Sequence, residues 1–188
     1  GLKRGQRTRF ALLFLDLDGF KVVNVLLGHS AGDRVLEELG ERLRQSLRTA
    51  DTVARIGGDE FAVLLADASD EAAALHVAER LVEEVASPFT IGAEEIRISA
   101  SVGIALCGSA YEDAEDLLRD ADTAMYRAKA VGPGNCRVFD PAMHLSAVAM
   151  LRLEQELRAA LDQGAFVMHY QPIVALDDGR IPGFEALI

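Results

Sequence analysis

Residues 52–65 read TVARIGGDEFAVLL, so two apolar runs flank two glycines and two carboxylates. Each run has the length and composition of a β-strand, and Gly57 with Gly58 is typical of a hairpin turn. Glycine adopts positive φ angles and lets a ligand approach the backbone closely. Asp59 and Glu60 follow directly. The stretch therefore indicates either an ordinary hairpin turn or a site where backbone and carboxylates meet a charged ligand.

Strands and helices alternate on both sides of this hairpin. Apolar residues at helical spacing predict three helices, and Ser30 with Asp33 fits a capping box at the start of the first. The predicted helices cover about 30–48, 70–86 and 113–130, and the predicted strands cover 9–18, 52–56, 61–65, 88–91, 95–107 and 136–140. Helices that flank a mixed sheet with a central antiparallel hairpin predict an α/β (α+β) fold.

The composition limits the classes of partner. The formal net charge is -11, and half of the residues are hydrophobic. Nucleic-acid polymers and anionic membranes need a positive surface, so we expect neither as a partner. No apolar run approaches the ~20 residues of a membrane span. We expect a cytoplasmic location, either alone or as the cytoplasmic part of a larger, membrane-linked protein.

A second acidic pair ends the first predicted strand. Asp16 and Asp18 lie two residues apart, so their side chains share one face of the strand. A solvated strand end would explain them. If the hairpin lies beside this strand, however, Asp16 joins Asp59 and Glu60 in a cluster of hard oxygen ligands. Such a cluster suits Mg²⁺ or Mn²⁺, and Mg²⁺ keeps positions open for substrate phosphates.

Four further polar residues have simple structural explanations when each is taken alone. Lys129 falls in the last turn of a predicted helix, where a cation is stabilising. Asp33 belongs to the capping box, and Asn24 fits a turn. Lys21 follows the first strand by a few residues. Their order along the chain, together with the acidic residues, favours a functional site.

That order resembles the GGDEF domain, the catalytic domain of diguanylate cyclases. The similar segments are FLDLDGFKVVN (14–24), LGHSAGDRVL (27–36), RTADTVARIGGDEFAVLL (48–65), SASVGIAL (99–106) and ADTAMYRAKAVG (121–132). The resemblance implies a βαββαβ core, related to the polymerase palm and the nucleotidyl cyclases, in a domain that spans 1–141. It also implies the reaction, in which two GTP molecules form cyclic di-GMP and pyrophosphate.

The resemblance assigns roles to the acidic and basic residues. The implied metal ligands are Asp16, the backbone carbonyl of Leu17, Asp59 and Glu60, with two Mg²⁺ or Mn²⁺ ions per active site. Asp59 or Glu60 would assist removal of a proton from the attacking hydroxyl. Lys21, a catalytic residue by this resemblance, and Lys129 would contact phosphate and stabilise developing charge.

The resemblance also implies a guanine site and a product site. Asn24 and Asp33 match the guanine-recognising pair, and a carboxylate can accept hydrogen bonds from guanine N1–H and its 2-amino group, which adenine lacks. The other implied substrate-binding residues are Phe20, His29, Gly57 and Gly58. Arg48 and Asp51 match the inhibitory RxxD site for cyclic di-GMP, and Arg80 resembles the second arginine used across subunits. A helix end followed by a cap is the simpler explanation of this four-residue pattern.

Two positions depart from the family pattern. Val25 stands where an aspartate usually follows the asparagine, and GPGN (132–135) replaces the usual GRN. The arginine expected there contacts phosphate, and Pro133 cannot supply that contact. We expect the departure at Pro133 to reduce activity while the acidic residues remain intact.

The C-terminal segment is predicted to be the beginning of a second domain. Residues 142–163 fit a long amphipathic helix, followed by a strand, a turn and a strand. HYQPIVALDDGRIPGFEALI (169–188) resembles the start of an EAL domain, the cyclic di-GMP phosphodiesterase, with Glu185, Ala186 and Leu187 as its motif and Glu185 as a metal ligand. The remaining ligands of that family are missing, so we expect a truncated fragment, 142–188, of a GGDEF–EAL tandem protein without phosphodiesterase activity.

Three functions remain to be distinguished. The first is a diguanylate cyclase that acts as a homodimer, because each subunit holds one GTP, and that is inhibited by its product. The second is a weakly active module that binds GTP or cyclic di-GMP and regulates an attached EAL phosphodiesterase. A general nucleotidyl transferase is disfavoured by Asn24 and Asp33.

Overall fold

A mixed five-stranded sheet forms the framework of the first part of the chain. The computed structural model describes residues 10–68, 70–107, 111 and 113–188, of which 145–152 and 154 are described by their backbone alone. The strands are β1 (Phe10–Asp18), β2 (Thr52–Gly57), β3 (Glu60–Ala66), β4 (Phe89–Ile91), β5 (Glu94–Ile96), β6 (Ser99–Leu106), β7 (Cys136–Val138), β8 (His169–Ile173) and β9 (Gly183–Leu187). The helices are α1 (Phe20–Leu27), α2 (His29–Gln45), α3 (Glu71–Ala86), α4 (Ala114–Val131) and α5 (Ala142–Asp162).

Strand β1 lies at the centre of this sheet, whose order is β2-β3-β1-β6-β7. It pairs antiparallel with β3 on one side and with β6 on the other, and β7 runs parallel to β6. The register places Asp16 opposite Glu60 of β3 and opposite Ser101 of β6. The predicted hairpin and the predicted fold class are both confirmed. Residue 9, predicted to begin the first strand, lies outside the described residues.

Helices cover both faces of the sheet, which explains the unbroken apolar run of β1. Alternate residues such as Leu13 and Leu15 pack into one core with α2 and α3. Leu12 and Phe14 point the other way and pack against α4. A strand that is buried on both faces has no solvent-exposed side, so its sequence does not alternate between apolar and polar residues. The resulting layers hold the end of β1 in a fixed position.

Helix α4 approaches β6 at backbone distance. A Cβ atom built on Gly103 would lie 1.9 Å from the carbonyl oxygen of Ala121 and 2.2 Å from the amide nitrogen of Met125. Real Cβ atoms do not come this close to backbone atoms, so glycine is required here for steric reasons. The close contact sets the distance between α4, which carries Lys129, and the sheet.

The start of the second helix differs from the predicted capping box. Helix α2 begins at His29 after Gly28, whose φ of 83° and ψ of 159° turn the chain, and no side chain caps this end. Ser30 is already inside the helix. Helix α1 was not predicted, because its valines gave no separate helical signal. Gly28 N–H donates to the Asn24 carbonyl and so joins the two helices in one tight corner.

The long strand predicted over 95–107 is divided into two strands. Glu94–Ile96 pairs with β4, which lies within the predicted strand 88–91, whereas Ser99–Leu106 enters the main sheet. Arg97 and Ile98 lie between them and belong to neither strand. Apolar residues continue through this break, so alternation alone could not reveal it.

The C-terminal part of the chain is a separate unit from His144 to Ile188. The predicted helix and the predicted strand–turn–strand are confirmed, since β8 and β9 pair antiparallel with His169 opposite Leu187. Many apolar side chains of this hairpin are exposed, including Tyr170, Ile173 and Phe184. Among the described residues, no helix is both long enough and apolar enough to cross a membrane.

The contact between α4 and β6 gives a stability prediction. Gly103→Ala should destabilise the domain by about 1–3 kcal/mol, because the added methyl group must displace helix backbone. Gly40→Ala is the matched control, since the nearest atom outside helix α2 would be Phe61 Cε1 at 3.9 Å. The control should stabilise the domain by about 0.5–1 kcal/mol, because alanine loses less backbone freedom on folding than glycine does. Urea unfolding measures both, and a neutral Gly103→Ala would contradict the close approach.

Candidate active site

The end of β1 and the tip of the β2–β3 hairpin lie side by side. Leu17 N–H donates to the carbonyl of Asp59 at 3.3 Å, which ties the tip to the strand. Gly58 has a φ of 51°, and its carbonyl accepts a hydrogen bond from Arg55 Nε at 2.9 Å. The positive φ is the conformation that the double glycine was expected to supply. The two acidic stretches of the sequence therefore meet at one end of the sheet.

Asp16 forms an ion pair with Lys129 of helix α4. The Lys129 Nζ atom lies 2.5 Å from Asp16 Oδ1, and the two side chains are 35% and 14% exposed. Burial raises the pKa of Asp16 above its ordinary value, and this effect outweighs the lowering by Lys129. The neighbouring charges of Asp59 and Asp18 raise the pKa further. Asp16 is therefore a partly desolvated carboxylate that requires a cation beside it.

Asp18 is in a different environment, although it lies on the same strand. Its oxygens accept hydrogen bonds from Ser101 Oγ at 2.8 Å and from Ser99 Oγ at 2.7 Å. The amide of Gly134, in the loop after α4, donates to it at 2.9 Å. These are three neutral donors, in contrast to the ammonium group at Asp16.

The corner between α1 and α2 forms the wall of an open pocket. A Cβ atom on Gly32 would lie 2.0 Å from Asn24 Oδ1 and 3.1 Å from Phe20 Cζ, so glycine makes room for the Asn24 side chain. Asp33 follows Gly32 on the same helix. The missing side chain of Gly32 thus lets Asn24 lie against helix α2 beside Asp33.

Most of the predicted substrate residues line this pocket. Its volume is about 480 Å³, and its lining consists of Phe20, Lys21, Asn24, Val25, His29, Asp33, Leu36, Arg55, Gly58 and Asp59. Gly57 does not line it, and neither do Asp16, Glu60 and Lys129. Asp59 and Gly58 of the hairpin tip form the side of the pocket nearest to Asp16. The structure therefore brings the predicted base-binding residues together and places the ion pair at their border.

The expected cluster of acidic metal ligands is incomplete in this structure. Within the described residues, no three His, Cys, Asp or Glu side chains converge closely enough to hold a metal ion alone. The cation beside Asp16 in this structure is Lys129. The side chain of Leu17 is apolar and buried, so only its main-chain carbonyl could act as a ligand. The donor set still fits Mg²⁺, which binds through one or two carboxylates and substrate phosphates instead of an all-protein cage.

The predicted product site forms a second pocket, on the turn that follows α2. Its volume is about 410 Å³, and it is lined by Arg44, Leu47, Arg48, Thr49, Asp51, Thr52 and Val53. Asp51 accepts from the amide of Arg48 at 3.1 Å and from the amide of Ala66 at 3.0 Å. Arg80 Nη2 donates to the carbonyl of Ser46 at 2.8 Å, just before this turn. Asp51 therefore fixes the turn, and Arg48 remains exposed.

The C-terminal motif lies in the separate unit. Glu185, Ala186 and Leu187 belong to strand β9 and are exposed, with Glu185 opposite Gln171 of β8. The hairpin is formed, but no described group of ligands surrounds Glu185.

Several residues of the site were not identified from the sequence. Arg55 lines the pocket and supports the hairpin tip, and Ser99 with Ser101 holds Asp18. The two serines alternate along β6 as Asp16 and Asp18 alternate along β1. This shared alternation could have indicated that the serines face the aspartates, once β6 was placed beside β1.

The chemistry of this arrangement points to one class of protein. Carboxylates at the ends of paired strands, two lysines nearby and a pocket with several hydrogen-bonding side chains suit a phosphorylated ligand with a ring that can form hydrogen bonds. The mixed sheet with helices on both faces is the fold of the nucleotidyl cyclases. The profile of the family "Diguanylate cyclase, GGDEF domain" matches residues 2–135. The chain belongs to this family.

Curated relatives agree with this family and extend beyond it. The bifunctional diguanylate cyclase/cyclic di-GMP phosphodiesterase MucR of Pseudomonas aeruginosa is 46% identical over 180 residues, which are 96% of this chain and 26% of MucR. The cyclic di-GMP phosphodiesterase NbdA of the same organism is 40% identical over 178 residues, 95% of this chain and 23% of NbdA. The chain thus spans about a quarter of the length of these relatives.

Solved structures show the same fold. An EAL/GGDEF domain protein from M. capsulatus is 47% identical with a TM-score of 0.69, over 75% of this chain and 90% of that one. The GGDEF domain of YfiN (TpbB) from Pseudomonas aeruginosa is 42% identical with a TM-score of 0.68, over 71% and 83%. The GGDEF domain of DgcB from Caulobacter crescentus, solved with c-di-GMP, is 27% identical with a TM-score of 0.65, over 70% and 78%.

The raised pKa of Asp16 gives a prediction about pH. Folded Asp16 keeps its proton to a higher pH than the unfolded side chain, whose reference value is 3.8. Between the two pKa values, the folded state binds more protons than the unfolded state. The contribution of Asp16 to the free energy of unfolding therefore falls as the pH rises through this interval. Asp16→Asn should therefore be more stable than the wild type at pH 7 without divalent metal, and this gain should disappear as the pH falls to the unfolded value.

Lys129→Met provides the control for that experiment. Lys129 lowers the pKa of Asp16, so its removal should make the gain from Asp16→Asn larger. Urea unfolding between pH 3 and pH 7, in the presence of a chelator, measures the stability of the wild type, the two single variants and the double variant. A loss of stability on Asp16→Asn at neutral pH would mean that the ion pair outweighs burial.

Proposed function

We propose that the first part of the chain is a diguanylate cyclase that condenses two GTP molecules into cyclic di-GMP and pyrophosphate. The observation that carries this proposal is the pocket that Asn24, His29 and Asp33 share with Asp59, bordered by the Asp16–Lys129 pair. A nucleotide with its base at Asn24 would extend its phosphates towards the carboxylates and lysines. Because GTP is a cytoplasmic metabolite, this function also favours a cytoplasmic location.

Guanine specificity would come from the α1–α2 corner. The Asp33 carboxylate accepts hydrogen bonds from guanine N1–H and the 2-amino group, and the Asn24 amide offers both a donor and an acceptor. Phe20 and His29 line the same pocket. A pocket whose polar groups are left unpaired by the wrong base discriminates strongly against it. GTP is therefore the expected substrate and ATP is not.

The phosphates would lie between the hairpin tip and the lysines. Lys21 lines the pocket, and Lys129 pairs with Asp16, which precedes the residue bonded to the hairpin tip, so we expect both lysines to contact a triphosphate. Gly57 and Gly58 leave the tip without side chains, which lets phosphate approach the backbone. Asp16, the Leu17 carbonyl, Asp59 and Glu60 would hold two Mg²⁺ or Mn²⁺ ions, which lower the pKa of the attacking hydroxyl and offset charge on the leaving group.

The reaction joins one nucleotide to another across two subunits. The 3′-hydroxyl oxygen of one GTP forms a bond to the α-phosphorus of the second, and the bond from that phosphorus to pyrophosphate breaks. Asp59 or Glu60 takes the hydroxyl proton, and Lys21 and Lys129 stabilise the charge that develops on the phosphates. A second, symmetric step closes the ring. Each subunit holds one GTP, so catalysis requires a homodimer.

The C-terminal unit is proposed to be the first part of an EAL domain. The support is the sequence similarity to relatives named as phosphodiesterases and to an EAL/GGDEF domain protein. Glu185 would act as a metal ligand once the remaining ligands of such a domain were present. The described residues give it no such partners, so the cyclase is proposed for this chain and phosphodiesterase activity for the larger protein alone.

The first experiment is turnover of GTP. Concentrated protein, stripped of bound nucleotide, is incubated with GTP and Mg²⁺, and cyclic di-GMP is separated by chromatography. Asp59→Ala should reduce product formation at least about a hundredfold, because it removes a metal and proton-transfer group. Asp122→Ala is the matched control, since Asp122 is an exposed acid of α4 outside the pockets, and it should keep full activity. GTP binding without product would reject the cyclase proposal.

A regulatory module is the second candidate function. Two observations favour it: the separate pocket at Arg48, and Pro133 in the loop where the family supplies a phosphate-binding arginine. Cyclic di-GMP bound at Arg48, with Arg80 of another subunit, would inhibit the cyclase or signal to an attached phosphodiesterase. This candidate predicts tight binding of the product with slow or absent turnover.

Two variants separate binding from folding at this pocket. Arg48→Ala should weaken cyclic di-GMP binding by about tenfold or more, because it removes a charged donor, and should leave stability unchanged. Asp51→Ala should cost about 1–2 kcal/mol of stability, because two backbone amides lose their acceptor. Calorimetric titration and urea unfolding measure the two effects. Unchanged product affinity in Arg48→Ala would remove the product site from the proposal.

A further inference from the structure

Asp18 has no role in the function proposed above, although its carboxylate is enclosed by hydrogen-bond donors. Oδ1 accepts from Ser101 Oγ, while Oδ2 accepts from Ser99 Oγ and from the amide of Gly134. Ser101 is fully buried. Ser99 and Ser101 belong to the neighbouring strand β6, whereas Gly134 comes from the loop after α4. Asp18 therefore joins three separate parts of the chain.

The loop that Asp18 holds begins at the end of α4. Gly132 N–H donates to the Lys129 carbonyl at 3.1 Å and closes the last turn of the helix. Asn135 Nδ2 donates to the Gly132 carbonyl at 2.8 Å, and the Asn135 carbonyl accepts from the amide of Val102 at 2.9 Å. Proline has no amide hydrogen, so Pro133 cannot donate a main-chain hydrogen bond to the sheet. Gly134 is the residue whose amide makes the connection to β1.

The end of β1 thus contacts the end of α4 at two points. Asp16 holds the side chain of Lys129, and Asp18 holds the main chain of Gly134. The two carboxylates are on the same strand face, and the two groups they hold are five residues apart on α4 and its loop. A lysine side chain is long and flexible, so its ammonium group stays in place only if the helix end that carries it is fixed.

We propose that Asp18 is a positioning residue, which fixes the loop Gly132–Gly134 to β1 and thereby holds Lys129 at Asp16. The proposal deepens the proposed function, and only its nucleotide-binding part rests on that function. Asp18 accepts hydrogen bonds from three neutral donors, so it is assigned neither a metal nor a phosphate. Its negative charge is not what the role requires.

This difference makes asparagine an informative substitution. In Asp18→Asn, the amide oxygen can occupy the place of Oδ2 and accept from Ser99 and Gly134, while the amide nitrogen donates to Ser101 Oγ. The tether is kept and the charge is lost. Asp18→Ala removes both. If Asp18 worked through its charge or as a metal ligand, the two variants would be equally impaired.

The first measurement needs no nucleotide. Amide hydrogen exchange at Gly134 should accelerate about tenfold or more in Asp18→Ala, since the amide loses its acceptor, and should stay near the wild-type rate in Asp18→Asn, which keeps an acceptor oxygen. NMR shifts of the Lys129 ammonium and the Asp16 carboxyl carbon report the ion pair. In Asp18→Ala, but not in Asp18→Asn, these two chemical shifts should move towards the values of unpaired groups. Equal shifts in both variants, or unchanged exchange at Gly134, would overturn the proposal.

The second measurement uses nucleotide and a double-mutant cycle with Lys129→Met. Asp18→Ala should weaken binding of a non-hydrolysable GTP analogue by about fivefold or more and leave binding of GMP unchanged, because GMP lacks the β- and γ-phosphates that Lys129 would contact in the proposed function. Asp18→Ala should add nothing in the Lys129→Met background. Equal losses for GMP and the GTP analogue would show a general structural role and reject positioning through Lys129.

Two controls keep the outcomes separate. Asp18→Ala could fail to fold because Ser101 loses its acceptor. In that case the double variant Asp18→Ala with Ser101→Ala, which also removes the buried hydroxyl, replaces Asp18→Ala in the comparison. If the wild type binds no GTP analogue, the proposed function fails, and the exchange and NMR measurements still decide whether Asp18 holds the loop and Lys129.

Discussion

Burial of β1 on both faces and pairing on both edges is the constraint on which the rest of the domain depends. Its neighbours β3 and β6 bring the hairpin tip and the two serines to the same end of the sheet. The helices on either face then have fixed distances from it, as the contact at Gly103 shows for α4. Because the strand cannot shift, the two aspartates at its end have fixed positions relative to both the pocket and Lys129.

The two aspartates illustrate how one strand can give identical side chains different chemistry. Asp16 is partly buried and forms an ion pair with Lys129, so another cation could replace Lys129 as its partner. Asp18 is satisfied by hydroxyl and amide donors that have no charge to exchange. The first environment suits a group that binds a ligand, and the second suits a group that holds the structure. Position along the strand, not residue type, decides between them.

The sequence predicted the fold class, the hairpin and most of the pocket lining, because these features follow from local periodicity and from a motif. It did not predict helix α1 or the break at Arg97 and Ile98, where apolar residues continue across a change of structure. The capping box at Ser30 was wrong because a glycine corner starts the helix instead. The pairing of Lys129 with Asp16 depends on contacts between distant segments, and no local pattern carries that information.

The topology of the sheet also has a consequence for the order of assembly during synthesis. Helices α1 and α2, strand β2 and the tip of the β2–β3 hairpin come from the first part of the chain, and they supply the residues that line the pocket. Lys129 is added much later, with α4. Contacts between segments so distant in sequence form slowly, because a long loop must close first. A nascent chain that has not yet released α4 from the ribosome therefore has the residues of the pocket but no lysine at Asp16.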